Sequence, residues 1–222
     1  VVYAPGQPTT GMKSCFSTQN NKTYQPFESH QILNVQLPMN EGGELAVIGS
    51  GLSAVDAILS LRKRIDIQHI HIYSRLGMLP SINQRNPNDQ SWVRPPRYFT
   101  VVELKRLLTN NVFSFQKAVR LMWKDLALYP LHELQIGAQF LRAHDYRRYY
   151  RKILYLARRN FTPLCGLLAS TRGYFSDLWR IASTQQKIEF QRFARHWTLF
   201  RHPLPYSNGI KLLQLLEEDR LH

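Results

Sequence analysis

The 222-residue chain is long enough for one large domain or two small ones, and its 44% hydrophobic residues can bury a core. This composition excludes an intrinsically disordered chain, and no apolar run approaches the roughly eighteen residues of a membrane span. A formal net charge of +14 predicts attraction to anions: phosphate-bearing ligands, nucleic acid, an acidic partner or an anionic membrane surface.

The cysteines and histidines indicate neither a disulfide framework nor a metal centre. Cys15 and Cys165 form no C-x-x-C pair, which is typical of a protein of the reducing cytoplasm. His69 and His71 alternate within an apolar run and are explained by strand packing, so we predict no metal ligand. The first residues show no signal-peptide pattern, and we expect a cytoplasmic protein.

The first 43 residues are interpreted as a connecting segment. Val1–Ala4 has the composition of a strand end, and Pro5-Gly6 terminates it. Sequence rich in Gly, Pro, Thr, Ser and Asn continues to about Phe27. Gln31–Leu37 is predicted to be a short extended piece.

The stretch from residue 44 to residue 75 has the order strand, glycine turn, helix, strand. The apolar run Leu45–Ile48 leads into G-S-G-L-S-A at residues 49–54, a helical pattern follows over Val55–Leu61, and a β-rich run covers Ile67–Tyr73. A G-x-G-x-x-A sequence in this context, within about thirty residues, is typical of a dinucleotide-binding unit.

Each small residue of this turn has a physical role. Gly49 lets the chain turn sharply out of the strand, Gly51 leaves room for a pyrophosphate at the backbone, and Ala54 permits close packing of helix on strand. The unpaired N–H groups and the dipole at the helix start then bind the phosphates. The predicted contact residues are Gly49, Ser50, Gly51, Leu52, Ser53 and Ala54. The alternative is a nucleotide-free βαβ unit with a tight turn.

The end of the second strand favours NADP(H) over NAD(H). NAD sites usually carry an acid about twenty residues after the glycines, where it binds the ribose 2′-OH. Here Asp66 precedes the second strand, which ends Tyr73-Ser74-Arg75 without an acid. We expect the Arg75 guanidinium and the Ser74 hydroxyl to bind a 2′-phosphate. The alternative for Arg75 is a solvated surface charge.

The chain beyond residue 75 is predicted to be an irregular loop followed by helices. Prolines at positions 80, 87, 95 and 96 predict the loop. T-x-x-E at Thr100 and S-x-x-Q at Ser183 predict capping boxes. Periodicity predicts helices over Val101–Leu108, Ser114–Leu128, Leu131–Arg142, Asp145–Arg159, Tyr174–Ala182, Ser183 to about Trp197, and Ile210–Glu218. Ser207-Asn208 is predicted to start the last of these helices. No strand is evident after residue 112.

These elements predict an α/β fold: a small Rossmann-type parallel sheet followed by a mostly α-helical region. We divide the chain into the connecting segment 1–43, the Rossmann-type NAD(P)-binding unit 44–99 and the helical region 100–222. Only three or four strands are visible, so we expect a small sheet or one completed by sequence outside this chain.

A basic and aromatic segment, D-Y-R-R-Y-Y-R-K at residues 145–152, supports an alternative function. Arginine beside tyrosine can stack on bases and pair with phosphates, as in a basic helical module for nucleic acid or an acidic protein partner. We favour an amphipathic helix instead, because long basic side chains cover helix surfaces with their charged ends in water. The predicted inward residues are Tyr146, Tyr149, Tyr150, Ile153, Leu154 and Ala157. No nucleic-acid motif supports nucleic acid as the partner.

Three segments carry a resemblance to a known family: V-V-Y-A-P-G at residues 1–6, V-I-G-S-G-L-S-A-V-D at 47–56, and S-R-L-G-M-L-P at 74–80. They are similar to the end of the FAD domain, the second glycine motif and the S-R-x-G-x-x-P motif of FAD/NAD(P)-binding flavoprotein oxidoreductases, distantly flavin-monooxygenase-like. Weaker similarity lies at residues 193–197 and 201–203. The family's N-terminal FAD glycine motif has no counterpart in this chain.

The resemblance implies the NAD(P)H-binding portion of an FAD/NAD(P)-dependent oxidoreductase, with a helical insertion. The cofactors implied are NADP(H) here and FAD in the complete enzyme, a flavin-dependent NAD(P)H oxidoreductase or monooxygenase. We expect no catalysis by this portion alone and assign no catalytic residue. The flavin domain would lie on missing sequence or on another chain, and a homo-oligomer is a further alternative.

Overall fold

The chain belongs to the α/β class, with a parallel sheet and mostly helical content. The computed structural model describes residues 2–3, 43–64, 67–74, 77–86, 95–109, 115–128, 146–160, 162–170, 179–180 and 182–222. In chain order the elements are β1 (Val2–Tyr3), β2 (Gly43–Ile48), α1 (Leu52–Leu61), β3 (Ile67–Tyr73), α2 (Val101–Thr109), α3 (Phe115–Leu126), α4 (Tyr146–Arg158), α5 (Pro163–Ser170), α6 (Thr184–Arg201) and α7 (Tyr206–Glu217).

The sheet has the order β1-β2-β3, and both pairings are parallel. In the pairing of β2 with β3, Leu45 lies opposite Ile70 and Ile48 opposite Tyr73. The carboxyl ends of these two strands therefore lie at the same edge of the sheet. The glycine turn begins at this edge.

The end of the chain adds a pairing that the sequence did not predict. Leu221 forms a parallel bridge with Ile70, on the side of β3 away from β2. Ile70 N–H donates to the Arg220 carbonyl at 2.8 Å, and His222 N–H donates to the Ile70 carbonyl at 2.9 Å. Because only three residues take part, no alternating pattern marks them in the sequence.

Helix α1 packs on the sheet through its apolar face. Val55, Ile58 and Leu61 are buried, as are Leu45 and Val47 on β2. Burial of each large aliphatic side chain contributes about 1.5–3 kcal/mol, so this contact is a main source of stability for the βαβ segment. Helix α7 packs against α1 and extends the same core with Leu212, Leu215 and Leu216.

Contacts divide the chain into two compact units, Val1–Pro80 with Leu204–His222, and Ser81–Pro203. The sequence-based division placed residues 204–222 in the helical region. The structure groups them with the sheet, because α7 packs on α1 and Leu221 pairs with Ile70.

The second unit has a helical core. Its buried residues come from α2, α3, α5 and α6 and from the loop before α2: Phe99, Leu104, Ala118, Met122, Leu126, Leu167, Leu168, Ala182 and Phe190. A buried acid, Asp125, fixes that loop. Its carboxylate accepts hydrogen bonds from the backbone N–H groups of Arg97 at 2.7 Å, Tyr98 at 3.1 Å and Phe99 at 2.5 Å.

Several predicted elements are confirmed with small shifts at their ends. Strand β3 has the predicted bounds, and α1 begins three residues before the predicted helix, directly after the glycine turn. The capping box of Ser183 and Gln186 is confirmed in both directions. At Thr100, the hydroxyl accepts from Glu103 N–H at 3.2 Å, which confirms the predicted N-cap bond.

The last helix begins slightly earlier than predicted. The sequence placed its start at Ser207-Asn208 and its body over Ile210–Glu218, whereas α7 covers Tyr206–Glu217 and follows Pro205 directly. Proline presets the backbone angle that precedes a helix, and this effect outweighs the low helix propensity of Ser207, Asn208 and Gly209.

Helix α5 was not predicted. Pro163 occupies its first position, where a missing N–H costs nothing, and Gly166 within the segment lowers its helix propensity. Burial of Cys165, Leu167 and Leu168 outweighs the cost of the glycine. The extended piece Gln31–Leu37, the helix Leu131–Arg142 and most of Tyr174–Ala182 lie outside the described residues.

The amphipathic interpretation of α4 is confirmed. Its buried residues are Tyr149, Tyr150, Ile153, Leu154 and Ala157. Tyr146, which was also predicted to face inward, is half-buried. Its exposed residues include Arg147, Arg148, Arg151 and Arg158. Across the part of the chain that the structure describes, no helix combines the length and the apolar character that crossing a bilayer requires.

Candidate functional site

The candidate site is the glycine turn at the carboxyl end of β2. Gly49 has φ 109°, a backbone conformation that side chains with a Cβ rarely adopt. Its N–H donates to the Tyr73 carbonyl at 2.9 Å, which ties the turn to the last residue of β3. The sharp exit of the chain from β2, predicted for Gly49, is confirmed.

Gly51 forms the N-cap of α1, with φ −75° and ψ −176°. Its carbonyl accepts the first hydrogen bond of the helix, from Val55 N–H at 3.1 Å. A Cβ built on Gly51 meets no atom within 4 Å, so open space lies in front of this backbone. This residue is therefore not required to be glycine by the packing of the protein itself.

The start of α1 offers backbone donors. The N–H groups of the first helical residues have no acceptor within a helix, and the helix dipole places a partial positive charge there. Leu52 and Ser53 are exposed, whereas Ala54 is fully buried beneath them. The first turn of α1 contains no acid that would occupy these donors. Together these features describe a site that favours an anion.

Asp56 lies one turn into α1 and is exposed. Its carbonyl accepts a hydrogen bond from the Ser60 hydroxyl at 2.8 Å. Its position past the first turn keeps it from capping the helix N-terminus.

Ser74 follows β3 and begins a short turn. Its carbonyl accepts from Gly77 N–H at 3.1 Å, and its Oγ accepts from Met78 N–H at 3.2 Å. Gly77 has φ 60°, which explains the glycine in this turn. Because Oγ acts as acceptor for Met78, the hydroxyl hydrogen of the half-buried Ser74 is left to donate to a ligand. Arg75 lies outside the described residues.

The structure brings part of the predicted set together. The turn of residues 49–54 and Ser74 lie at the same edge of the sheet, through the pairing of Ile48 with Tyr73. Tyr73 also lies at this edge with 60% of its surface exposed, and the sequence analysis did not select it. Tyr73 could have been identified from the sequence, because it ends the strand that pairs with β2, the strand before the glycine turn.

Buried ionisable groups outside the sheet unit have structural roles. The Cys165 thiol is buried and lies 3.5 Å from Ser81 Oγ, and burial raises its pKa to about 11. Burial likewise raises the pKa of Tyr149 and of Tyr150. Since the thiolate is the nucleophile, a raised pKa together with burial lowers the reactivity of Cys165 at neutral pH.

Within the described ranges, no group of three or more His, Cys, Asp or Glu side chains is arranged to hold a metal ion. No family model, curated protein or solved structure matches this chain.

Proposed function

We propose that the sheet unit is a Rossmann-type module that binds NADP(H), and that this chain is the NAD(P)H-binding portion of an FAD/NAD(P)-dependent oxidoreductase. One observation carries the proposal. A G-S-G-L-S-A turn leaves a parallel strand and opens a helix whose N-terminus faces open space at Gly51. These are the parts that a pyrophosphate site of this kind requires.

The position of the turn at the sheet supports the same assignment. In open α/β sheets, ligands bind outside the carboxyl ends of the strands. The glycine turn leaves the carboxyl end of β2, the middle strand of the order β1-β2-β3, beside the carboxyl end of β3.

Specificity for NADP(H) rests on the absence of an acid after β3. A carboxylate there would bind the ribose 2′-OH of NAD and repel a 2′-phosphate. The chain has Ser74 and Arg75 instead. In the proposed site the Ser74 hydroxyl and the Arg75 guanidinium donate to the 2′-phosphate, and the guanidinium binds it through two parallel hydrogen bonds.

The dinucleotide would supply a hydride donor when bound, and FAD in the proposed complete enzyme would supply the acceptor. The residues of this chain would bind and orient: the N–H groups at residues 52–54 would hold the pyrophosphate, and Gly51 would let it approach the backbone. No catalytic residue is assigned. The proposal places the flavin domain on further sequence or on another polypeptide.

The alternative function, nucleic-acid binding by helix α4, has less support. Stacking on bases needs exposed aromatic faces. Within the basic segment Tyr149 and Tyr150 are buried and Tyr146 is half-buried, and the exposed tyrosine of α4, Tyr155, lies beyond that segment.

Thermal unfolding with NADPH, NADH or no ligand, at matched phosphate concentration, tests the proposal. A ligand that binds only the folded state stabilises it by about 2.7 kcal/mol at a hundredfold excess over Kd. We expect a larger shift with NADPH than with NADH. Arg75→Gln removes a charge-assisted contact of roughly 1.5–3 kcal/mol, and we expect it to reduce the NADPH shift while leaving the NADH shift unchanged. No shift with either dinucleotide would refute the proposal.

A further inference from the structure

A second concave site lies in the sheet unit, at the end of α1 opposite the glycine turn. Its volume is about 540 Å³, within the roughly 300–1,000 Å³ typical of small-molecule sites. It is open to solvent and forms where the carboxyl end of α1 meets the first residues of β3. The residues that line it are Arg62, Lys63, Arg64, Ile67, Gln68, His69 and Arg220.

The lining is basic to an unusual degree. Four of these side chains carry a permanent positive charge at neutral pH, and none of the described lining residues is acidic. Gln68 adds amide donors, whereas His69 Nδ1 contacts the Asp219 carbonyl at 3.1 Å, and Ile67 is the aliphatic member among the described lining residues. Ile65 and Asp66, between α1 and β3, lie outside the described residues.

Arg220 is fixed in position at this site. Its Nη2 donates to the carbonyl of Arg62 at 3.2 Å and to the carbonyl of Ile67 at 3.0 Å. Its own carbonyl accepts from Ile70 N–H, so the backbone is anchored to the sheet as well. A guanidinium has five N–H donors on three nitrogens. Both side-chain contacts of Arg220 use Nη2 alone. The remaining donors are preorganised for a ligand.

The helix dipole opposes an anion at this end of α1, but its effect is small. The carboxyl terminus of a helix is equivalent to about −0.5 of an elementary charge. Arg220 already neutralises part of it by binding the Arg62 carbonyl, which belongs to the C-cap residue. Half an elementary charge is small beside the full charges of Arg62, Lys63 and Arg220.

We propose that this basic site binds a compact oligophosphate, the di- or triphosphate group of a polyphosphate chain or of a nucleotide. Arg62, Lys63 and Arg220 alone bring three positive charges to about 540 Å³, and several negative charges on few atoms match them. A triphosphate group provides them, whereas a carboxylic acid brings one charge per group. Guanidinium groups also match the tetrahedral oxygens of phosphate through paired hydrogen bonds. This proposal does not rest on dinucleotide binding at the glycine turn.

Titration calorimetry with inorganic tripolyphosphate and with ATP, at fixed ionic strength, tests it. The double variant Arg62→Gln/Lys63→Gln should weaken binding of tripolyphosphate at least about tenfold, which is the effect of losing one charge-assisted contact. The control Arg97→Gln/Arg158→Gln lowers the net charge equally at two exposed residues of the other unit, and should leave the affinity unchanged. Tighter binding of ATP would assign a nucleotide ligand, and tighter binding of tripolyphosphate a free polyphosphate.

A second variant tests the proposal if the double variant does not fold. Gln68 is exposed on β3 and lines the site, so Gln68→Glu adds a negative charge without removing a packed side chain. It should weaken tripolyphosphate binding by a similar factor, whereas the matched variant Gln185→Glu on exposed α6 should not.

Two results would overturn the proposal: no saturable binding of either probe, or equal weakening by the site variants and their controls. If sulfate bound as tightly as tripolyphosphate, the site would attract anions in general and would not be specific for an oligophosphate. Gly51→Ala separates the two proposals, because it should weaken NADPH and leave tripolyphosphate bound. If Gly51→Ala instead removed tripolyphosphate binding, the ligand would lie at the glycine turn.

Discussion

The backbone N–H of Gly49 donates to the carbonyl of Tyr73 at 2.9 Å, across the carboxyl ends of two parallel strands. This bond holds the glycine turn against the strand that ends next to Ser74. It explains how residues 24 positions apart in the sequence form one edge, at which a phosphate and a ribose could bind together.

The two glycines of the turn should respond differently to substitution. Gly49→Ala forces a Cβ into φ 109° and should destabilise the protein by about 1–3 kcal/mol. Gly51→Ala places a methyl group in open space and should cost less than about 1 kcal/mol. Urea unfolding of both variants measures the difference. Equal losses of stability would contradict the distinct roles assigned to the two residues.

Asp125 should be critical for the helical unit. Its buried carboxylate accepts from the N–H groups of Arg97, Tyr98 and Phe99, and an amide in its place would turn a donor toward some of them. We expect Asp125→Asn to cost about 2–3 kcal/mol in urea unfolding. Glu103→Gln is the control, because its ion pair with the exposed Arg106 is open to solvent on that side and should contribute less than about 1 kcal/mol. A cost for Asp125→Asn no larger than the control's would refute this role.

Stability should fall at alkaline pH. Burial raises the pKa of the Cys165 thiol from 9.0 to about 11, so the folded state holds this proton longer than the unfolded state. Its contribution is therefore complete below about pH 9 and is lost as the pH rises through about 11. A shift of this size corresponds to about 2–3 kcal/mol. Tyr149 and Tyr150 act in the same direction above pH 10.0, since their pKa values are also raised.

The check is the unfolding free energy between about pH 8 and pH 11, for the wild-type protein and for Cys165→Ala. The variant should lose less stability over this interval, because it has no thiol to ionise. Identical pH profiles for the two proteins would show that the thiol is not protected in the folded state.

Leu221 should stabilise the sheet edge. It is 2% exposed and pairs with Ile70 on β3, so Leu221→Ala should cost about 2–5 kcal/mol. Ile210→Ala on α7 is the matched control, because Ile210 is 46% exposed and should cost little. Hydrogen exchange at the Ile70 and Ile72 amides, which donate to residues 220 and 222, should accelerate in the first variant alone. Unchanged exchange would contradict the pairing.

Local patterns predicted the elements that are specified by nearby residues. β3 coincides with a run rich in isoleucine, I-Q-H-I-H-I-Y, that indicates a strand. The capping box of Ser183 and Gln186 is complete within four positions. The positive φ of Gly49 was predictable because the G-x-G-x-x-A spacing marks a sharp turn at the first glycine.

Contacts between distant residues were beyond such patterns. The Leu221 bridge spans three residues, and the capping of the loop at Arg97–Phe99 by Asp125 depends on how α3 packs. The basic site likewise joins Arg62 to Arg220 across most of the chain. In each case tertiary packing brings the groups together, and no period or spacing in the sequence records it.

Backbone amide NMR with NADPH tests the central claim most directly. If the glycine turn holds the pyrophosphate, the amide signals of residues 49–54 should shift as NADPH is added, with the largest changes at the first residues of α1. Gly51→Ala should abolish these shifts while retaining the folded spectrum. If NADPH left the amide signals of residues 49–54 of the wild-type protein unchanged, this result would contradict the proposed function.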